Sequence, residues 1–356
     1  MKKFNDPKPT VVFLVPTGVG AKIGGFAGDA LPLVRALSQV AHVITHPNVC
    51  NGGSLYWPLE DVLYVEGYGL DQFCADQWAL RPVFQNRIGL LLDVAMDSVE
   101  RAHHLNVAQG AAATLGLNIV GYGFTDRPVG VKLRNHGASS TSNPSWGTIE
   151  DPETLLEGAK RLVQAGANAL AVVVHFPEVE DTAYEQGKGV DPIAGVEAVI
   201  SHLLVKTLGI PCAHAPSLSS TATTVSEVHP RVCGEVIGHT FLPSVLVGLS
   251  RAPQFIPVSD GHLAPADLRA QDVDLVITPA HSCGGAGILA LAGRSPAPLV
   301  LAVEENETVL EVPPEPLGIK ALRVTTYLEA IGAVAAFGAG VDPARLRAGT
   351  NWVPRL

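Results

Sequence analysis

Two short segments of this 356-residue chain carry reactive side chains at matching points. "VITHPNVCNGG" (residues 43–53) and "VITPAHSCGGAG" (residues 276–287) align on Val-Ile-Thr, and in each a cysteine, Cys50 or Cys283, falls five residues after the threonine. His46 and His281 precede them, Asn48, Asn51, Gly52, Gly53 and Ser54 surround the first, and Ser282, Gly284 and Gly285 surround the second. A thiol at a glycine turn next to helix N–H groups is expected to have a lowered pKa and to act as a nucleophile or base. If the loops face one another, one thiolate removes a proton from carbon while the opposite thiol returns one, the chemistry of a cofactor-independent isomerase or racemase.

The same residues permit other readings. One cysteine assisted by His46 or His281, with glycine N–H groups holding an oxyanion, makes a hydrolase or amidase. The glycine loops alone make a non-catalytic metabolite or nucleotide sensor. No cofactor is required, although His46 with Cys50 and His281 with Cys283 supply the nitrogen and sulfur ligands that zinc takes, at spacings that match no zinc motif.

Further polar groups fall at predicted strand ends. In "VPTGVGAKIGG", Thr17, Gly18 and Gly20 would let backbone N–H groups approach an anion, though the spacing is neither a dinucleotide fingerprint nor a P-loop. "VEENET" offers Glu304, Glu305 and Asn306, and adjacent carboxylates on a strand point to opposite sides. Arg127 is a candidate anion clamp, and His214 and His239 are candidate ligand-binding histidines. The expected ligand is a small anionic metabolite bearing a carboxylate or phosphate.

These groups need a frame. Short apolar runs from Thr10, His42, Leu117, Ala169, Leu275 and Leu299 alternate with helical patterns at 29–38, 87–105, 152–165, 194–208, 288–293 and 325–339. Several runs are apolar without alternation, as in strands buried on both faces. The expected fold class is α/β: mostly parallel sheets with helices on both faces, in two Rossmann-like lobes with the site between them. The Ser-, Asn- and Gly-rich stretch 138–150 separates an N-terminal lobe, 1–137, from a C-terminal lobe, 151–356. Asp151 caps the helix that Pro152 begins.

Composition excludes some classes. A formal net charge of −10 without a basic run speaks against a nucleic-acid partner. Mean hydropathy is positive, yet glycine, proline or charge interrupts every apolar run before the roughly 20 residues of a spanning helix, so no membrane partner is expected. Five cysteines without a CxxC pair fit reduced thiols. The N-terminus lacks a signal-peptide pattern, and the chain is expected to be cytoplasmic. Parallel-sheet enzymes of this size are often homo-oligomers, but no interface stripe stands out.

The chain resembles a family catalogued as domain of unknown function 3326, common in cyanobacteria and present in photosynthetic eukaryotes. The likeness rests on "VPTGVGAKIGGFAGDALP", "THPNVCNGGSLYWPL", "VLYVEGYGLD", "QNRIGLLLD", "ISHLLV", "PCAHAP", "GHTFLPSVLVGLSRAPQ", "PAHSCGGAG" and "AVEENET". It implies one unit spanning nearly the whole chain and transfers no catalytic assignment. "GANALAVVVHFP" and "GVEAVISHLLVKTLGIPCAHAP" are also weakly similar to the second half of aspartate/glutamate racemase-type folds. That family's second cysteine would fall near His175 and Phe176, where this chain has none.

Overall fold

A computed structural model describes residues 8–25, 29–50, 59–133, 143–177, 186–218 and 241–347. Six parallel strands form the larger sheet: β1 (Thr10–Phe13), β2 (His42–Thr45) and β3 (Val62–Tyr64) on one side, and β12 (Leu275–Pro279), β13 (Leu299–Val303) and β14 (Ala321–Val324) on the other. Their order is β14-β13-β12-β1-β2-β3. The smaller parallel sheet joins β5 (Ile88–Leu92), β6 (Ile119–Phe124), β9 (Ala169–His175) and β10 (Cys212–Ser217) in the order β10-β9-β5-β6. Both sheets draw strands from either side of segment 138–150. Two antiparallel pairs, β4 (Trp78–Arg81) with β11 (Gln254–Pro257) and β7 (Val131–Leu133) with β8 (Gly147–Ile149), complete the described strands.

The helices fall into three layers. One face of the larger sheet packs on α1 (Leu31–Leu37) and, late in the chain, α8 (Tyr327–Gly338), burying Val11, Phe13, Val43 and Ile277 against Val34, Ala330 and Val334. The other face shares a core with the smaller sheet. That core is filled by α2 (Gly67–Cys74), α4 (Pro152–Gln164), α5 (Ala194–Leu208) and α7 (Ala286–Ala292). The far face of the smaller sheet is covered by α3 (Ser98–Leu115) and α6 (Leu242–Ser250). Strands with helices on both faces need apolar side chains in both directions, which is why β1, β5 and β12 are buried at every position.

Local chemistry sets the helix ends. Asp151 accepts from Thr154 N–H (2.9 Å) and Pro152 follows, as the sequence predicts. Asp97 and Glu100 form a reciprocal capping box on α3, which ends at left-handed Gly116. The helix expected over 87–105 is corrected: residues 88–92 are a strand, and the helix begins at Ser98. A five-residue apolar run has no period that separates a doubly buried strand from a buried helix, and pairing with β6 and β9 decides it.

Because the middle core touches both sheets, the chain is expected to unfold in one transition. Replacing fully buried Ile200 by alanine should cost about 2–5 kcal/mol. Urea titration followed by far-UV circular dichroism and tryptophan fluorescence should give coincident curves, shifted together in I200A.

Candidate active site

The paired segments of the larger sheet do follow its strands, but they do not bring their thiols together. Cys50 packs in the core under α1 and α8, whereas Cys283 packs in the core between the sheets, and β1 lies between their parent strands. The expected lowering of the thiol pKa is reversed. Burial pushes Cys50 up to about 12 and Cys283 up to about 11, because loss of hydration disfavours the thiolate, and the nearby Arg323 charge offsets only part of that at Cys283. The Cys283 thiol donates toward Pro279 O and Ala280 O, both 3.7 Å away.

Most other expected ligand groups hold the scaffold. Asn306 is fully buried; its Oδ1 accepts from Ile23 N–H (2.9 Å), and its Nδ2 donates to Ile23 O (2.8 Å) and Tyr327 Oη (2.6 Å). Asn48 donates to Val15 O and Pro16 O. Glu305 accepts from Tyr327 N–H, Glu304 lies 3.7 Å from Arg323, and Arg127 pairs with Asp151 and Glu157. Ser282 bonds Thr308, and the backbones of His281 and Cys283 are tied to Val312. Gly284 lies against Val312, and Gly285 caps α7. Thr17 is exposed, while Gly18 packs on Ser145 and Gly20 on Val190, both at positive φ. Asn51, Gly52, Gly53, Ser54 and His239 lie outside the described residues.

His46 and His214 are placed differently. The Nε2 of His46, just past β2, accepts from Val15 N–H (3.2 Å), so its proton sits on Nδ1. Burial, with a smaller contribution from nearby His202, lowers its pKa to about 4. His214 projects from β10 toward the middle layer, with 1% of its side chain exposed; its Nδ1 lies 3.4 Å from Glu197 Oε1 on α5. Neither ring nitrogen completes a hydrogen bond among the described residues, an arrangement that is costly in a protein interior.

Glu66, one residue past β3 and its neighbour Val65, joins this group as the residue capping α2. One carboxylate oxygen accepts from Tyr68 N–H (2.9 Å), and the other lies 3.1 Å from Nε2 of His202, also on α5. Burial raises the Glu66 carboxyl to about 8, against the pull of the Tyr68, Gly69 and Gly67 N–H groups, and burial lowers His202. A carboxylic acid therefore faces a neutral imidazole. Gly67 permits this approach: a Cβ there would stand 2.7 Å from His202 Nε2. The buried Tyr64 hydroxyl has no hydrogen-bond partner among the described residues, and burial, then Cys50, Glu66 and Glu197, raise its pKa.

Two carboxyl–imidazole pairs are thus formed, α5 contributes a member to each, and both carboxyl groups, Glu66 and Glu197, act on Tyr64. Sequence reasoning missed Glu66, His202, Glu197 and Tyr64. "VLYVEG" was not read as a strand with a glutamate at its carboxyl end, and that was the available signal. Four stretches that carry the family resemblance, "THPNVC", "VLYVEGYGLD", "ISHLLV" and "PCAHAP", meet at this point.

A family model described as "Protein of unknown function (DUF3326)" matches residues 10–347. The chain belongs to this family. A relative from Synechococcus sp., named an uncharacterized lipoprotein, is 49% identical over 345 residues, covering 96% of this chain and 94% of the relative. No solved structure matches at a significant level. The relative's name overturns the cytoplasmic expectation, since a lipoprotein is held at a membrane by an attached lipid. Among the described residues no helix is long and apolar enough to cross a membrane.

The protonated, buried state of both aligned thiols has a direct consequence. In the folded chain at pH 8, iodoacetamide should leave Cys50 and Cys283 unlabelled while both react after denaturation, as read by peptide mass spectrometry. Labelling of either in the native chain would contradict the burial described.

Proposed function

We propose that this protein is an enzyme that moves protons on a small metabolite, an isomerase-type reaction in which carboxyl–imidazole pairs replace the cysteine pair. Glu66 is the proton donor and His214, whose Nδ1 lies 3.4 Å from Glu197, is the acceptor. The observation that carries the reading is that α5 supplies a member to each of the pairs Glu66–His202 and Glu197–His214, while both carboxyl groups act on the unpartnered Tyr64 hydroxyl. A carboxyl raised to about 8 and an imidazole whose ring nitrogens complete no hydrogen bond among the described residues offer a proton donor and a proton acceptor. A thiol nucleophile is less well supported, since burial keeps Cys50 protonated. An anionic substrate meets N–H and O–H donors here, from His46 Nδ1, Tyr64 and Glu66.

The test has two steps. A thermal-shift screen of small carboxylates and phosphates identifies metabolites that raise the melting temperature, and each hit is then incubated in deuterium oxide with protein and followed by proton NMR. The wild-type chain should exchange a carbon-bound proton of at least one hit. E66Q and H214N should slow exchange by about 10²–10⁴-fold, the usual share of a positioned acid or base. Absence of exchange in every hit, or undiminished exchange in both variants, rejects the proposal.

Glu66 also imposes a pH dependence on stability. Its carboxyl has an ordinary value of 4.5 and is raised to about 8 in the folded chain, so between those values the native state holds a proton that the unfolded state has released. Stability of the wild-type chain relative to E66Q should therefore fall as pH rises from about 4.5 to about 8 and stay level outside that window. Denaturant titrations of both chains across pH 4–9 measure the difference.

A further inference from the structure

A second chain of titratable groups lies on the other face of the smaller sheet. Along β9 and β10, Val172, Val174 and Cys212 face the middle core, whereas Ala171, Val173, Ala213 and Ala215 face α3 and α6. Alternation carries His175 and Ser217 to the α3 side, and the strand register sets them opposite each other. Glu100, in the first turn of α3, meets them there. Its Oε1 takes the Ser217 hydroxyl proton (3.2 Å) and lies 3.3 Å from His175 Nδ1, while Oε2 accepts from Asp97 N–H in the capping box (2.9 Å).

Counting protons orders the chain. Ser217 has one proton and gives it to Glu100, so the 3.0 Å contact between Ser217 Oγ and His104 Nε2 is an imidazole N–H donating to the hydroxyl. His104 Nδ1 is then bare, and it is buried without a partner among the described residues. In its neutral form His175 donates its Nδ1–H to Glu100 and keeps its lone pair on Nε2. That nitrogen carries no hydrogen bond among the described residues, and 31% of the side chain is exposed. The backbone is fixed as well: His175 N–H points to Asp93 Oδ2 (3.4 Å), and the other Asp93 oxygen accepts from Ala95 and Val129 N–H. A partly exposed histidine with one nitrogen held on a buried carboxylate and the other without a hydrogen bond among the described residues is arranged as a base or nucleophile.

We infer that His175, positioned by Glu100 and Ser217, is a second reactive centre that acts on activated acyl esters. The inference is independent of the proton-transfer proposal, because it uses none of the same side chains and the opposite face of the sheet. In the step it implies, the Nε2 lone pair bonds to the ester carbonyl carbon, the alkoxide leaves with the electron pair of the C–O bond, and the Nδ1 proton passes to Glu100. Water then cleaves the acyl-imidazole, its hydroxyl joining the acyl group and its other proton going to the imidazole, while Glu100 gives its proton to the departed alkoxide, so that acid, alcohol, neutral histidine and carboxylate result. Sequence reading did not place His175 among the candidates, because Glu100 and Ser217 are 75 and 42 residues away in the chain.

p-Nitrophenyl acetate and diethyl pyrocarbonate test this on the full chain. Diethyl pyrocarbonate should modify His175 faster than exposed His262, as mapped by mass spectrometry, and abolish p-nitrophenolate release. H175Q should lower that release by about a hundredfold, the lower end of what a positioned catalytic base contributes, while H262Q leaves it unchanged. S217A should slow it and S217T restore it, a difference that simple loss of packing would not produce. E100Q removes a capping residue, so its cooperative melting is checked first; the H175Q and S217T measurements stand without it. Release by H175Q at the wild-type rate, or labelling of His175 no faster than His262, overturns the inference.

Discussion

Helix α5 lies in the core between the two parallel sheets, packed on β10 and α2, and the rest of the architecture depends on that burial. Val196, Ile200, Leu204 and Val205 fill the core shared by β1–β3, β5 and β9–β10. With its apolar side chains committed inward, the helix brings Glu197 to β10 and His202 to the residue following β3's neighbour. At the helix N-terminus the Gly195 backbone lies against Ser145 and Trp146, where a Cβ would approach Ser145 O to 2.4 Å. A helix displaced to relieve that contact would no longer hold both carboxyl–imidazole pairs. Packing and proposed chemistry are therefore set by the same element.

Burial also decides which groups are charged. Near the edge of the larger sheet it raises Glu66, Cys50 and Tyr64 and lowers His46 and His202, each toward its neutral form. Neutral forms avoid most of the cost of removing ions from water. They also leave protons on the acids and lone pairs on the imidazoles, the states that acid–base chemistry uses. On the far side of the smaller sheet, Glu100 is instead surrounded by three donors, from Asp97, Ser217 and His175. One fold thus holds two carboxyl environments of different character, one desolvated and one saturated with donors.

Much of the scaffold was legible from local pattern. The strands at Thr10, His42, Ala169, Leu275 and Leu299 are present, and so are the Asp151 cap and the helix at 194–208. These depend on apolar runs and capping residues, which act over a few positions. The strand at 88–92 was hidden because doubly buried strands lack alternation. The glycine loop at 18–24 was read as an anion cradle, but its backbone closes on Ser145, Val190 and Val15. Close approach and anion binding both call for glycine, and only the neighbours distinguish them.

The sequence alone determined the α/β class, the family and the location of the polar groups at strand ends, because each follows from contiguous residues. It also identified His46 and His214 as candidates. The tertiary structure decided which of those groups meet. Cys50 and Cys283 occupy matching local positions yet point into different cores, since local similarity carries no information about the face on which a loop packs. Glu66 and His202 are 136 positions apart in the chain, and Glu100 and Ser217 are 117 apart, yet each pair is within about 3 Å. Those partners are brought together by strand order and helix packing, and the loss of hydration that sets their protonation exists only once the layers have closed.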